Sequence, residues 1–393
     1  MNPPFFRLTL ALLAICGPAA ASPFIPQRGD QVIETLPKRS DPTQQELKRL
    51  RAALSARPTD LALATDLAQR YITVGRELTD PRYLGYAEAA LAPWYRLPAP
   101  PVPVRLLRAT LLQSTHHFPA ALLDLDAVIA AAPDNGQAWL TRATVLTVRG
   151  DYAGASRDCA RVSGLSNELV AITCLSQVAA ATGRGPQAEA LLDLTLQRAD
   201  NAPPPIQLWV LTQLAEMATR RGASAVAEAR YRRALALAPQ DSYLLGAYTD
   251  FLLDQHRPAD VLALLKGQQR VDALLLRYAL ALQLTPGRAA DLAEARTELG
   301  ARFSAAMQRG DTVHQREQAR YELALLNHPE SGLQLARLNW DVQKEIPDMR
   351  IYLEAALAGH DPAAAKPVLD WIAANKTDDV VLARLTRQLK AGA

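Results

Sequence analysis

The sequence predicts an all-α fold in which helix hairpins stack side by side into a solenoid. Three observations predict it. Alanine and leucine dominate a chain of 393 residues that is 49% hydrophobic yet only 6% aromatic, a balance that favours helix throughout. Small and large apolar residues recur with a period of about 34 residues. Glycines and prolines fall where the helices of such a unit must stop.

The pattern is clearest over residues 208–241. With Leu208 at position 1, Leu214 and Ala215 occupy positions 7 and 8, Gly222 position 15, Ala227 position 20, Tyr231 position 24, Ala234 position 27 and Pro239 position 32. Small residues at 8 and 20 let the two helices of a hairpin approach closely, and larger ones at 4, 11 and 24 fill the space around them. Glycine at 15 supplies the left-handed cap that ends the first helix, and proline at 32 stops the second. Residues 102–135 repeat this with Ala109, Leu112, Ala121, Leu125 and Pro133; residues 136–168 with Trp139, Ala143, Leu146, Gly150 and Ala155; residues 169–202 with Leu175, Ser176, Gly183, Ala188 and Leu192.

This spacing resembles the tetratricopeptide repeat. The resemblance implies a right-handed α-solenoid of tetratricopeptide-like hairpins with a degenerate helical C-terminal part. An earlier unit carries Leu67, Ala68, Tyr71 and Gly75, and residues 77–86 read as an insertion before its second helix at 87–91. A degenerate unit follows at 242–271, with Leu245, Leu252 and Leu265 in apolar slots. Residues 272–393 read as further degenerate helices and a cap, broken at Pro286-Gly287, Pro329, Pro347 and Pro362. The organisation expected is therefore a signal at 1–21, an extended or disordered arm at 22–41, a solenoid at 42–271 and the degenerate part at 272–393.

The signal is read from Arg7, the apolar residues 8–15 and Ala19, Ala20 and Ala21 ahead of Ser22. The apolar stretch is too short to span a bilayer. Ile15 is large where a lipid-attachment signal at Cys16 wants a small residue. An exported, periplasmic bacterial protein is the expectation, and the acceptor-like triplet Asn375-Lys376-Thr377 then means little. Without residues 1–21 the chain carries 42 basic and 40 acidic side chains, near neutrality, which argues against a nucleic-acid partner.

Cys159 and Cys174 are the two cysteines left after cleavage. They fall on neighbouring helices of adjacent units, as a disulfide or as two buried thiols. Arg108 and Arg142 both sit at position 7, and Asp124 and Asp158 both at position 23 of the same two units. Their joint appearance predicts an ion pair repeated across two hairpins, with an anion site in the groove as the alternative. His116-His117 reads as a surface turn.

No catalytic motif, cofactor loop or metal-ligand spacing is present, so neither enzyme activity nor a cofactor is expected. In the family resembled, first helices line a concave groove that holds a peptide or partner protein. Carried over by position, that groove comprises Thr110, Gln113, Gln137, Thr144, Thr147, Trp209, Thr212, Glu216, Thr219 and Arg220. It lacks the dense lysine and arginine clamp some relatives use for a carboxylate terminus. The reading that follows is a non-enzymatic interaction scaffold of the cell envelope, whose protein or peptide partner the sequence does not name. The alternative is a small-ligand, sugar-binding or minor catalytic C-terminal part built on His314, Glu317, Arg320, Asn339 and Trp340. An open continuous groove favours the first reading, and a single deep pocket holding His314 or Glu317 favours the second.

Overall fold

The structure, a computed structural model, describes Arg28, Gln31 and residues 41–199, 201–311 and 313–391. The signal segment and most of the arm lie outside the described residues. The described chain is helical, in order α1 (Pro42–Ala56), α2 (Leu61–Leu78), α3 (Arg82–Ala90), α4 (Ala92–Tyr95), α5 (Val102–Ser114), α6 (Phe118–Ala131), α7 (Gly136–Arg149), α8 (Tyr152–Val162), α9 (Glu168–Ala181), α10 (Gly185–Arg198), α11 (Pro204–Arg220) and α12 (Ser224–Leu237). There follow α13 (Ser242–Asp254), α14 (Pro258–Leu264), α15 (Asp272–Gln283), α16 (Ala289–Gln308), α17 (Gln315–Arg320) running into a π turn (Tyr321–Leu325), α18 (Pro329–Val342), α19 (Ile346–Ala358), α20 (Lys366–Asn375) and α21 (Val380–Ala391).

The chain divides at residue 48 into two units. In the first, the described part is the start of α1, capped by Asp41, whose Oδ1 accepts from the Thr43 amide at 2.8 Å. The second unit, 49–393, is a right-handed α-solenoid of tetratricopeptide-like hairpins: α2–α3, α5–α6, α7–α8, α9–α10, α11–α12, α13–α14 and α15–α16, then less regular pairs to the C-terminus.

The repeat positions do what their sizes require. Ala109, Ala121, Ala143, Ala155, Ala215 and Ala227 are fully buried at the hairpin crossings, and Leu125, Leu192 and Tyr231 fill position 24 in the same way. Tyr231 stacks on Tyr248 at 5.1 Å and touches Phe251 at 5.6 Å, which joins the fifth hairpin to the sixth. Burying a side chain of this size stabilises by roughly 1.5–3 kcal/mol.

Position 15 is left-handed whether or not it is glycine. Gly150, Gly183 and Gly222 have φ of 83°, 75° and 78°, but His116 and His256 stand at the same place with φ of 57° and 55°. The His116-His117 turn is thus the hairpin turn of its unit. The insertion expected at residues 77–86 is about four residues long and lengthens the first helix instead of forming a loop. α2 runs on past Gly75 to Leu78, Thr79 turns the chain at φ 48°, Asp80 accepts from the Arg82 amide at 3.0 Å, and α3 starts at Arg82. Thr79 thus takes the left-handed conformation that glycine holds in other units, four residues later in the repeat.

Both repeated ion pairs are present. Arg108 meets Asp124 through two bonds of 2.6 Å, and Arg142 meets Asp158 through bonds of 2.7 and 2.8 Å. Cys159 and Cys174 are joined as a disulfide, with their alpha carbons 5.5 Å apart. The next unit inverts the charge. Arg230, at position 23, takes Glu189 and Asp193 from the preceding hairpin, and Arg221 joins Glu189 at 2.7 Å. Acidic residues at positions 21 and 25 of one unit opposite arginine at 23 of the next are the signal that would have revealed it.

The solenoid does not stay open. Thr79 Oγ1 and Ser242 Oγ lie 2.5 Å apart, and the Arg270 guanidinium donates to the Leu78 carbonyl, so the second helix meets the start of the thirteenth. The C-terminal helices meet the turns of earlier hairpins. Lys344 N donates to the Val148 carbonyl at 2.8 Å, Trp371 packs on Gly150 and on Tyr152, Lys376 abuts Gly183 and Val380 abuts Gly222. Val342 packs into the cluster of Ala109, Leu125 and Val145.

The Asp158 side chain is 5% exposed and that of Arg142 20%, so the pair is largely dehydrated. Asp158→Ala should cost about 3 kcal/mol, because it leaves a half-buried guanidinium without that partner. A double-mutant cycle with Arg142→Ala, read by urea unfolding, should return a coupling energy of about 1–3 kcal/mol. Additive effects would remove the pair as a stabilising unit.

Candidate functional site

With the C-terminal helices laid against the earlier turns, they and the helices α11, α13 and α15 line a half-open chamber of about 280 Å³. Glu216, Thr219 and Arg220 enter it from one face of α11, spaced to project together. Tyr243, Ala247, Asp250 and Asp254 enter along one stripe of α13. Arg277 comes from α15, Arg316, Glu317 and Arg320 from α17, Glu345, Arg350 and Glu354 from the start and middle of α19, and Asp379 from the cap of α21.

Ion pairs hold most of this lining in place. Asp250 accepts from Arg277 at 2.6 Å and from Arg320 at 2.5 Å, which ties α13 to α15 and α17. Burial alone would raise the Asp250 pKa, but the two guanidiniums outweigh it and hold the carboxyl well below the usual range. Arg350 is bidentate to Asp254, at 2.6 and 2.7 Å, and reaches Glu354 at 2.7 Å. Arg316 lies 3.4 Å from Glu317, 3.3 Å from Glu345 and 3.2 Å from Asp348. Its burial opposes the charged form, but the surrounding carboxylates dominate and hold its pKa well above the ordinary arginine value.

Glu216 is bonded differently. Its oxygens accept from the Tyr243 hydroxyl at 2.9 Å and from the Gln213 amide at 3.0 Å, both neutral donors. Burial pushes its pKa up and outweighs the nearby Arg220 guanidinium, which lowers it, while the charge of Glu345 adds to the rise. The Glu216 charge, followed by burial, in turn pushes Tyr243 well above the ordinary phenol value. Asp379 is raised by burial too, while its Oδ1 accepts from the Val381 and Leu382 amides at 2.8 Å.

The residues expected to line the groove separate into two groups. Glu216, Thr219 and Arg220 face the chamber. Thr110, Thr144 and Thr147 are half-buried, and their hydroxyls donate to the carbonyls one turn earlier in their own helices. Thr212 is buried and does the same at 2.8 Å, as Thr219 does at 2.9 Å. Gln137 donates to Thr141 at 3.0 Å, Gln113 is half-buried, and Trp209 packs on Val162, Val170 and Ala171.

The C-terminal set also splits. Glu317 and Arg320 line the chamber, but His314, Asn339 and Trp340 do not. His314 sits at the start of α17. Asn339 is buried against Asp348 and Gln343, and Trp340 is a core residue stacked edge-on with Tyr352 and Trp371. Helical spacing places His314, Glu317 and Arg320 on one side of a helix, whereas Asn339 and Trp340 belong to α18. The π turn after Arg320 and the turn into α18 assign them to different surfaces. Sequence reasoning missed Tyr243, Asp250, Arg277, Arg316, Glu345 and Arg350, because their partners lie on other hairpins.

Among the described residues no cluster of three His, Cys, Asp or Glu side chains could hold a metal ion, and no helix is long and apolar enough to cross a membrane. The sequence matches no family model and no curated protein. Among solved structures it is similar to the human IFIT1 dimer with PPP-AAAA, at 13% identity and a TM-score of 0.41, over 84% of this chain and 85% of that one. It is similar to the APC/C hetero-tetramer Cut9–Hcn1, at 15% identity and a TM-score of 0.44, over 88% and 60% of the two chains. It is also similar to the TPR domain of P58(IPK), at 15% identity and a TM-score of 0.24, over 85% and 98%.

Because Asp250 has a depressed pKa, its unfolded form binds a proton more readily than its folded form. Its contribution is complete above about pH 4, the ordinary carboxyl value, and is lost as pH falls below that. Asp250→Asn should lower stability at neutral pH by about 2 kcal/mol, and the gap between variant and parent should shrink at about pH 3. Urea unfolding at both pH values measures this. A gap independent of pH would show that the shape of the site, not the charge, is at stake.

Proposed function

We propose that this protein is a non-enzymatic binding scaffold of the bacterial cell envelope, whose tetratricopeptide-like solenoid takes up one short segment of a peptide or protein partner in its internal chamber. The observation that carries this reading is the chamber itself. It is lined by Glu216, Thr219 and Arg220, three positions at which the repeat family resembled presents recognition residues, while the C-terminal helices lie against the hairpin turns at Gly150, Gly183 and Gly222. Its volume of about 280 Å³ is close to the lower end of small-ligand sites, roughly 300–1,000 Å³, and suits one or two side chains rather than a long helix.

The enclosure, with Glu317 in its wall, also favours a second reading in which the occupant is a free small molecule. Export is supported by the ordered signal features around Arg7 and Ala19 to Ala21. The pairing of Cys159 with Cys174 agrees with an oxidising compartment.

Panning a displayed peptide library against the chain from Ser22 onward, and against its Ala247→Trp variant, tests the binding site. The indole should fill the chamber, so related peptides should be retained by the parent and lost with the variant at an unchanged melting temperature. Peptides held equally by both would move the site elsewhere. Protein recovered from cells should lack residues 1–21 and carry no free thiol. An intact N-terminus would refute export.

A further inference from the structure

The charge of the chamber does not balance. Five guanidiniums and seven carboxylates line it. Four of the guanidiniums are already paired: Arg277 and Arg320 on Asp250, Arg350 on Asp254 and Glu354, and Arg316 on Glu317 and Glu345. Arg220 is the fifth, and among the described residues no carboxylate lies within ion-pair distance of it. Glu216 and Asp379 are therefore left without a bonded cation. Glu216 lies one turn before Arg220 on α11, an arrangement that normally pairs, yet its oxygens point to Tyr243 and Gln213 instead.

Tyr243 supplies a second kind of surface. It is 62% exposed and belongs to the lining, so its ring borders the free space of the chamber. An aromatic face beside a carboxylate that has no bonded cation attracts an organic cation through the ring quadrupole and a charge-assisted hydrogen bond. Apolar groups at Ala247 and Ile346 lie in the same lining and suit an alkyl stem.

We propose that the chamber binds an alkylammonium group, seated among Glu216, Glu345 and the Tyr243 ring with its stem along Ala247 and Ile346. This deepens the chamber reading above and rests on it. The same chemistry is offered by a lysine side chain of a peptide and by a free polyamine. An anion is disfavoured, since the one unpaired guanidinium is outnumbered by Glu216 and Asp379, the two lining carboxylates without a bonded cation. A bound cation also relieves the burial and like-charge repulsion that hold the Glu216 carboxyl above its ordinary range.

Isothermal titration of the chain from Ser22 onward, at neutral pH and low salt, tests this with four probes: spermidine, a capped lysine pentapeptide, its acetyl-lysine form and its glutamate form. Spermidine, the lysine peptide or both should bind, and which of them binds identifies the source. Acetylation should weaken the peptide at least about tenfold, as should Glu216→Gln. Arg220→Ala should tighten binding by removing a like charge. If Glu216→Gln lowers the melting temperature, Glu345→Gln, whose side chain is 42% exposed, serves as the same test. Binding of the acetyl-lysine or glutamate peptide that is lost with Ala247→Trp would overturn the cation assignment and leave the chamber reading intact. No binding by any probe, or binding indifferent to Ala247→Trp, would overturn both.

Discussion

The structure depends on one constraint: each hairpin of a solenoid contacts only its neighbours, so the inner surface stays open unless another part of the chain covers it. Here the chain supplies part of that cover itself. Trp371 is the anchor. Its ring packs on the turn at Gly150, 6.1 Å from the Tyr152 ring and 5.8 Å from that of Trp340. The Lys344 ammonium lies 5.1 and 5.7 Å from the two indoles, and its backbone amide bonds the Val148 carbonyl. A Cβ at Gly150 would fall 2.4 Å from the indole, and the backbone there has φ of 83°. Only glycine meets both demands at once.

That closure creates the chamber and decides its chemistry. Side chains that would face solvent in an open groove are brought opposite one another, and charges from six helices meet. Most are neutralised across hairpins, as Asp250 is by Arg277 and Arg320, and Asp254 by Arg350. These pairs serve position more than stability, since desolvation offsets much of their attraction. Glu216 and Tyr243 lie outside the ion pairing and are bonded to each other at 2.9 Å.

Much of the repeat architecture was legible because it is local. Alanine at positions 8 and 20 and a large residue at 24 describe one hairpin, and every one of those residues sits within a few turns of its partner. The Arg108–Asp124 and Arg142–Asp158 pairs were legible for the same reason, sixteen residues apart within a single hairpin. The left-handed turns at Thr79, His116 and His256 were not, because the stacked helices impose a conformation that those residues do not prefer. The ion pairs of Arg230 and Arg350 cross to other hairpins, and no periodicity within one unit carries that information.

The sequence by itself determined the helices, their breaks at Pro329, Pro347 and Pro362, and the small residues that let each hairpin close. It also placed Glu216, Thr219 and Arg220 together, since helical spacing alone puts them on one face. Only the tertiary structure decided that Glu317 and Arg320 face these residues while Asn339 and Trp340 turn into the core. The reason is range. Propensity and spacing act over a turn or two, whereas the walls of the chamber are joined by contacts such as Arg320–Asp250 and Arg350–Asp254, 70 and 96 residues apart, set by how far each hairpin rotates on the one before it.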